Sequence, residues 1–364
     1  MRVLVLIPSL YGTGPGTRFR VEQWARCLEP RGFQFTFAPF ESRALHEVLY
    51  RPGMFVRKSC AMVAAFLKRF EAVLRARACD VVLLYREAAL IGPALIERLL
   101  PLGGTPIVYD FDDPIWLPYR SPTNSFFSRL KFQSKTAAIC RLADRVITGN
   151  RLLAAYAVEK GARAVDIVPS TIDLTEYPTP APAVSREPVT LGWTGSHSTV
   201  PFLEQLQPVL IKLADRLKFR LVVISHNDSY RMNGLTAETV SRKWNAESEA
   251  GDLADVDIGL APFPNTGWTP WRCHGKVLQY MALGIPTVAS PIGIVPDYIE
   301  DGVDGFLADG PAQWLEKLEI LIRHAQLRKT FGAASRSKLE RMYSAQVWAP
   351  KVGEILEKAA SRTP

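Results

Sequence analysis

Short, largely apolar segments alternate along the chain with segments whose apolar residues recur at helical spacing. Residues 2–8 form a continuous apolar run, which is typical of a strand buried on both faces of a parallel sheet. Further strands are predicted at residues 34–38, 81–84, 106–109, 145–148, 164–168, 189–193, 220–224, 256–261 and 287–289. Between most of them apolar residues recur at helical spacing, as at Val21, Trp24 and Leu28. This alternation predicts an α/β protein whose parallel sheets are covered by helices on both faces.

A proline-rich stretch interrupts the pattern. Pro178, Pro180 and Pro182 are typical of a stiff, extended linker, and the alternation begins again after them. The chain is therefore predicted to form two doubly wound, Rossmann-like domains, residues 1–177 and 178–345, that face each other across a cleft. Residues 346–364 are predicted to form a final helix that packs back on the first domain. Ligands of such sheets bind beyond the carboxyl ends of the strands, so the loops there are the candidate sites.

Composition and charge narrow the function classes. An apolar fraction of 48% and a charged fraction of 22% exclude global disorder. The net charge is +8, and residues 1–175 carry 24 basic and 15 acidic side chains against 20 and 21 in residues 176–364, so an anionic partner is expected at the first half. Five widely spaced cysteines without a CxxC pair indicate reduced thiols in a cytosolic protein. We expect neither a signal peptide nor a membrane span.

A glycine-rich loop with Gly12, Gly14 and Gly16 follows the first strand. Glycines let the backbone approach a ligand closely, and the next helix N-terminus favours an anion. The GxGxG spacing is a weak dinucleotide signal, because no acidic residue closes the second strand. A phosphate-binding loop and a tight strand-to-helix turn both fit this pattern.

Carboxylates cluster after the strand at residues 106–109. Asp110, Asp112 and Asp113 precede Pro114. Such a cluster can hold a divalent metal, cap a helix or bond sugar hydroxyls. We do not expect a metal here, because an Asp-X-Asp pattern alone is unspecific.

The segment from Trp271 to Gly293 carries the most specific signal. Its centre is a short helix predicted over residues 276–283, which Gly284 ends. Lys276 and Arg272 stand at the helix N-terminus, where the helix dipole disfavours cations unless an anion lies between them. A diphosphate would supply that charge, whereas pairing with a nearby carboxylate is the alternative.

The sequence here resembles a known family. Residues 271–293, residues 299–307 and the duplicated α/β layout resemble the retaining, GT-B-fold glycosyltransferases of glycosyltransferase family 4, over essentially the whole chain. Residues 108–114, 191–196 and 257–262 are similar to one branch of it. The resemblance implies transfer of a hexose from a nucleoside-diphosphate sugar to an acceptor hydroxyl, with retained anomeric configuration and without a metal or other cofactor. It also implies glycoconjugate or surface polysaccharide synthesis.

The resemblance also implies roles for individual residues. Lys276 and Arg272 would bind the leaving diphosphate and Asp112 the donor sugar, which makes these three the expected catalytic residues. The other expected donor-binding residues are Gly12, Gly14, Gly16, Thr194, Gly195, Ser196, Ser225, Trp244, His274, Gly275 and Gln279. His274 is equally well explained as a residue that only starts the helix. Arg86, Glu87 and Arg18 are expected on the acceptor side, where a glycan, a lipid-linked sugar or a small molecule would bind.

Two departures from the family keep a second hypothesis open. Many members carry two glutamates eight positions apart, where this chain has Trp271 and Gln279. Many also carry an Arg/Lys pair after the first strand of the second domain, where this chain has Thr194, Gly195 and Ser196. Backbone N–H groups and hydroxyls would then have to bind the phosphates. The alternative is a non-catalytic protein of the same fold that binds nucleotide sugars or acts as a scaffold.

Basic residues in the first half are interleaved with apolar ones. In residues 50–77 the basic residues are Arg51, Arg57, Lys58, Lys68, Arg69, Arg75 and Arg77, and residues 126–135 add Arg129, Lys131 and Lys135. Such stretches lie on anionic membrane surfaces, which predicts a cytoplasmic protein that is peripheral on the inner face of the membrane. Sheet-covering helices with solvated basic faces are the alternative. No nucleic-acid motif occurs, so no nucleic-acid partner is expected.

Overall fold

The computed structural model describes residues 1–49, 51, 53–118, 132–177 and 187–361, without the side chain of His197. The chain divides into two compact units. The first comprises Met1–Ser170, Trp271–Cys273 and Trp348–Pro364, and the second Thr171–Pro270 and His274–Val347. The second unit begins at Thr171, seven residues before the predicted start of the second domain at residue 178. The proline-rich residues 178–186 lie outside the described part.

Each unit is built on a parallel sheet. The strands are β1 Arg2–Ile7, β2 Gln34–Pro39, β3 Val81–Tyr85, β4 Ile107–Phe111, β5 Arg145–Thr148, β6 Val165–Ile167, β7 Val189–Thr194, β8 Phe219–Ser225, β9 Glu238–Lys243, β10 Ile258–Ala261, β11 Thr287–Ala289 and β12 Phe306–Leu307. Among the described residues they form two six-stranded sheets, ordered β2-β1-β3-β4-β5-β6 and β12-β11-β10-β7-β8-β9. The strand order therefore reverses between β1 and β3 in the first unit and between β7 and β10 in the second. Ligands of doubly wound sheets bind at such reversals.

Helices connect the strands. They are α1 Pro15–Thr17, α2 Gln23–Leu28, α3 Arg43–Leu49, α4 Phe55–Ala76, α5 Leu95–Leu99, α6 Lys135–Leu142, α7 Arg151–Glu159, α8 Val200–Glu204, α9 Gln207–Ala214, α10 Glu249–Leu253, α11 Gly275–Ala282, α12 Val295–Tyr298, α13 Gly310–Arg323, α14 Ala325–Met342 and α15 Ala345–Ala360. A π-helical turn, Arg18–Glu22, joins α1 to α2. No helix in the described part of the chain combines the length and the apolar character needed to cross a membrane.

The first sheet is buried on both faces. Val3 and Val5 of β1 lie in one apolar cluster with Trp24 of α2, and that cluster also contains Val352 and Leu356 of α15. Leu4 and Leu6 lie in a second cluster, with residues of α4 and α7. Successive side chains of a strand point to opposite faces, so a continuous apolar run fills both clusters.

The second unit repeats this arrangement. Leu191 and Trp193 of β7 share a buried cluster with Leu221 of β8, and residues of α9 and α13 cover it, among them Leu210 and Leu318. The sequence pattern missed β9, whose residues are exposed or half-buried because it is the edge strand of this sheet.

Several basic side chains counted toward the membrane surface are buried. Lys58 donates to the Arg51 carbonyl at 2.6 Å. Arg69 donates to the carbonyls of Ala38 and Ile7, and Lys135 is buried as well. These three cations are therefore not available to a membrane surface, because their side chains donate to backbone carbonyls. Membrane association through the remaining basic residues stays a prediction. Residues 50, 52 and 126–131 of that prediction lie outside the described residues.

Candidate functional site

The end of β3 meets the end of β4 in a cluster of charged side chains. Arg86 follows β3 with a left-handed backbone, φ 59°, which is uncommon for a residue with a side chain. Its Nε donates to Asp112 Oδ1 at 2.8 Å and its Nη2 to Asp113 Oδ2 at 2.6 Å. The Tyr85 hydroxyl also donates to Asp112 Oδ1, at 2.8 Å. Parallel pairing of β3 with β4 brings these groups together.

Residues Trp271–Cys273 group with the first unit and complete this cluster. Arg272 Nε donates to Asp113 Oδ1 at 3.1 Å, and Cys273 Sγ donates to the Asp112 carbonyl at 3.3 Å. Asn150 Nδ2 donates to the Trp271 carbonyl at 2.8 Å. Arg272, expected at the phosphates, is thus placed against a carboxylate, the alternative that the sequence left open.

The two arginines of this cluster favour the ionised form of Asp113. Burial by itself would raise the pKa of Asp113, but Arg272 and Arg86 outweigh burial and hold that pKa below its ordinary value. Burial raises the pKa of the Tyr85 phenol well above its ordinary value. Two carboxylates and two guanidinium groups therefore form a charge-balanced polar surface, whose hydrogen-bonding groups suit hydroxyl-bearing ligands.

The glycine-rich loop lies beside this cluster. A Cβ atom added at Gly16 would collide with the Tyr85 hydroxyl and lie 2.9 Å from Arg86 Nη2, so only glycine fits. The N–H of Gly12 donates to the buried carboxylate of Glu22 at 3.0 Å. That N–H is therefore already satisfied within the unit. Burial raises the pKa of Glu22, although the Gly12 N–H opposes the shift.

The other expected acceptor-side residues lie near the same strand ends. Arg18 packs its guanidinium 5.4 Å from the Phe19 ring at the start of the π-helical turn. Glu87 follows Arg86 and lies 3.6 Å from the ammonium of Lys135, which also pairs with Glu97 at 3.2 Å. The loop after β3 is thus held by an ion pair to α6 and by a hydrogen bond from the Ala88 N–H to Glu97 of α5 at 2.9 Å.

A buried ion pair that the sequence did not reveal lies next to this cluster, since Asp110 precedes Asp112 by two residues. Arg20 Nε and Nη2 donate to the two oxygens of Asp110 at 2.9 and 2.5 Å, and both side chains are fully buried. Arg20 Nη1 donates to the Val168 carbonyl, and its guanidinium lies 4.7 Å from the Trp24 ring. Burial by itself would lower the pKa of Arg20, but Asp110 raises it above its ordinary value.

In the second unit the candidate site surrounds the first turn of α11. The Lys276 ammonium lies 4.4 Å from the centre of the Trp193 ring and 5.6 Å from that of Phe263. Trp193 belongs to β7 and Phe263 follows β10, so the lysine is held at the reversal of strand order. His274, with φ 46°, precedes Gly275, and its ring lies 4.0 Å from that of Phe263. The aromatic faces hold the cation at the helix N-terminus through cation–π attraction.

The loop after β7 supplies hydroxyls. The N–H of Thr194 donates to the Tyr280 hydroxyl at 3.2 Å and the N–H of Gly195 to the Ile224 carbonyl at 3.0 Å. The backbone donors of Thr194 and Gly195, two of those expected to bind phosphate, are therefore engaged inside the unit. The exposed Ser196 Oγ lies 2.9 Å from Ser198 Oγ, and both hydroxyls are accessible polar groups of the loop.

A hydrogen-bonded chain links the residues expected at the nucleoside. Gln279 Nε2 donates to the Tyr177 hydroxyl at 3.0 Å, and that hydroxyl donates to Glu249 Oε2 at 3.5 Å. Trp244 Nε1 donates to Glu249 Oε1 at 2.7 Å. Ser225 ends β8, and its carbonyl accepts from the Trp244 N–H at 2.7 Å. The structure thus brings together Gln279, Trp244 and Ser225 through two residues that the sequence did not single out.

Part of the second unit matches a known protein family. Residues 191–324, which include most of β7, all of α11 and Lys276, match the family model of glycosyl transferases group 1. The chain is similar to the group 1 glycosyltransferases. No protein of curated function matches the sequence significantly.

Solved glycosyltransferase structures share the fold over the whole chain. Sucrose-phosphate synthase from Thermosynechococcus elongatus has 12% identity and a TM-score of 0.71, with 100% of each chain covered. A glycosyltransferase from Rickettsia africae has 14% identity and a TM-score of 0.66, covering 100% of this chain and 99% of that one. Anabaena HepE in complex with UDP-glucose has 16% identity and a TM-score of 0.65, and the match covers 98% of this chain and 100% of that one. The predicted fold class, GT-B with two Rossmann-like domains, is confirmed.

The residues that sequence reasoning missed in this GT-B chain share one property. Tyr177 adjoins the proline-rich stretch, and Glu249 lies in a five-residue helix. Neither carries a local pattern that distinguishes it from ordinary loop residues. Among the described residues, no group of three or more His, Cys, Asp or Glu side chains could hold a metal ion.

Proposed function

We propose that the protein transfers a sugar from a nucleoside-diphosphate sugar to an acceptor hydroxyl with retention of the anomeric configuration. The observation that carries this proposal is the position of Lys276. It lies in the first turn of α11, at the reversal of strand order and within the residues that match the glycosyltransferase family. An anion bound at that position gains from both the ammonium and the helix N-terminus.

The second unit is proposed to bind the donor. Lys276 would stabilise the diphosphate as it leaves, with the hydroxyl of Ser196 as a further donor. Such fixed charges and dipoles lower the barrier because they need no reorganisation during the reaction. Gln279, held by Tyr177, would contact the nucleoside. UDP is the first nucleotide to test, because HepE was solved with UDP-glucose.

The first unit is proposed to bind the acceptor at the cluster of Arg86, Asp112 and Asp113. In the reaction, the bond between the anomeric carbon and the donor phosphate breaks, and the acceptor oxygen bonds to that carbon on the same face. The acceptor proton goes to an oxygen of the departing phosphate, so no side chain has to act as the base. Because the acceptor oxygen itself attacks on the same face, no side chain has to act as nucleophile. The proposed reaction takes place without a metal ion.

A thermal-shift and turnover experiment tests the donor site. UDP, GDP and ADP are added with and without EDTA, and a nucleotide at about 100 times its dissociation constant adds roughly 2.7 kcal/mol of stability. We expect UDP to stabilise the protein equally with EDTA. Lys276→Met should weaken its affinity about 10- to 100-fold, since a hydrogen bond to a charged group contributes about 1.5–3 kcal/mol. Lys329→Met, at an exposed lysine of α14, is the matched control. Stabilisation by no nucleotide would overturn the donor-site assignment.

A second candidate function is binding of a nucleotide sugar without turnover, and it rests on Trp271. This tryptophan stands where many family members carry the first glutamate, and its ring packs edge-on against Trp116 at 5.5 Å. Release of UDP from UDP-sugars in the presence of acceptor, with the anomeric configuration of the product read by NMR, separates the two. Nucleotide binding with no turnover of any donor would favour the alternative.

A further inference from the structure

The outward face of α4 is apolar although it lies at the surface of the first unit. Six large apolar side chains on this one helix are 46–77% exposed: Phe55, Val56, Val63, Leu67, Phe70 and Leu74. The opposite face, which includes Met62, Ala65 and Ala72, is buried. Packing within the unit therefore accounts for the inner face and leaves the outer one uncovered.

These side chains form a stripe. Five of them, from Val56 to Leu74, fall within about 60° of one another around the helix axis at 100° per residue. The stripe runs about 27 Å along α4 at 1.5 Å per residue. The 3₁₀ turn Pro101–Gly103 lies next to the end of α4, because a Cβ atom at Gly103 would lie 3.1 Å from Cγ of Arg77, the residue after the helix. Leu102, in that turn, is 73% exposed.

Basic side chains border the stripe. Arg57, Lys68 and Arg75 are exposed and lie about 110–130° from the centre of the stripe, on one flank of the helix. Arg51 and Arg77 are exposed near its two ends, and Glu71, which pairs with Arg75, is the one exposed acidic residue in the described part of 51–77. The surface is thus apolar at its centre and net positive at its border.

We propose that α4 lies flat in the interface of an anionic membrane. The apolar stripe would enter the boundary between headgroups and acyl chains, and the basic flank would meet the anionic headgroups, which is how interfacial amphipathic helices bind. A second copy of the chain fits this face less well, since it would bring two positively charged borders together. The inference goes beyond the proposed function and does not depend on it.

Vesicle co-sedimentation of the full chain tests the proposal. The lipids are phosphatidylcholine alone and phosphatidylcholine with 30% phosphatidylglycerol, the latter also in 0.5 M NaCl. We expect partitioning onto the anionic vesicles to be at least tenfold stronger than onto the neutral ones, and to fall severalfold in high salt. Equal partitioning onto both vesicle types, or none onto either, would overturn the proposal.

Matched variants locate the surface. Val63→Glu should lower partitioning at least tenfold, whereas Val158→Glu, at a valine of similar exposure on α7, should not change it. Lys68→Glu should lower it severalfold, with Lys329→Glu as the control. Thermal unfolding checks that each variant is folded. Wild-type binding by Val63→Glu would exclude α4 as the membrane surface, and so would a dimer in solution that Val63→Glu dissociates, because this face would then join two copies.

Discussion

Replacing Asp113 by asparagine removes the charge that pairs with two arginines in the first unit. Asp113 accepts from Arg86 Nη2 at 2.6 Å and from Arg272 Nε at 3.1 Å. Its side chain is 21% exposed, and those of the arginines are 26% and 37% exposed. Buried hydrogen bonds to charged groups contribute about 1.5–3 kcal/mol and exposed ion pairs about 0–1 kcal/mol. Because this pair lies between the two cases, we expect Asp113→Asn to cost about 1–2 kcal/mol.

The cost should depend on pH in a defined direction. A carboxyl group whose pKa is lower in the folded state contributes stability above its unfolded pKa, and that contribution is lost as pH falls through its folded pKa. For Asp113 the ordinary value is 3.8, and the arginines hold the folded pKa below it. The stability difference between wild type and Asp113→Asn should therefore be full at neutral pH and shrink progressively as the pH falls below 3.8.

Urea unfolding followed by tryptophan fluorescence at several pH values measures this difference. Asp166→Asn is the matched control, because Asp166 pairs with Arg145 in the same unit through bonds of 2.7–2.9 Å. Both variants should lose stability at neutral pH, but only Asp113→Asn should raise the KM for the acceptor. The reasoning is refuted if Asp113→Asn is as stable as wild type at pH 7, or if its deficit is unchanged at pH 3.

Three further outcomes are expected. Tyr177→Phe removes the hydroxyl that links Gln279 to Glu249 and should lower the free energy of unfolding by about 1–2 kcal/mol. It should also weaken nucleotide binding severalfold in calorimetry, and unchanged affinity would contradict that role. Gly195→Ala places a Cβ atom 2.5 Å from the Trp193 ring and should cost about 1–3 kcal/mol in thermal unfolding. Gly251→Ala, which meets nothing within 4 Å, should be neutral or stabilising, and equal losses for both would argue against the steric reason. Burial raises the pKa of Cys273 to about 12, so iodoacetamide at pH 8 should alkylate the exposed Cys60 and spare Cys273 in the folded protein, as mass spectrometry can show.

The positions of several strands could be predicted closely from the sequence. The strands predicted at residues 145–148 and 287–289 match β5 and β11, because the middle residues of these strands are buried on both faces of the sheet and are apolar. The pattern failed for β9, since an edge strand needs no apolar run. The helix at Lys276 was also predictable, because Gly284 ends it and its apolar residues recur at helical spacing.

The partners of the site residues could not be predicted. Arg272 and Asp113 are 159 positions apart, Gln279 and Tyr177 are 102 apart, and both pairs are joined by hydrogen bonds. A local pattern reports how each segment folds and which face it buries. It carries no information about which distant charge or hydroxyl lies opposite, and so it could not separate a phosphate-binding arginine from one paired with a carboxylate.

The sequence by itself determined the α/β class, the duplication of the fold and the loops that carry the candidate chemistry. Apolar periodicity and glycine positions are local, and burial of both sheet faces follows from them. Only the tertiary structure decided which cations are buried and which are exposed. Lys58, Arg69 and Lys68 look alike in one amphipathic helix. Lys58 binds the Arg51 carbonyl just before the helix, Arg69 binds carbonyls of β1 and β2, and Lys68 faces solvent. The physical reason is that burial of a charge depends on acceptors supplied by the preceding loop and by distant strands, which reach the side chain only in the folded chain.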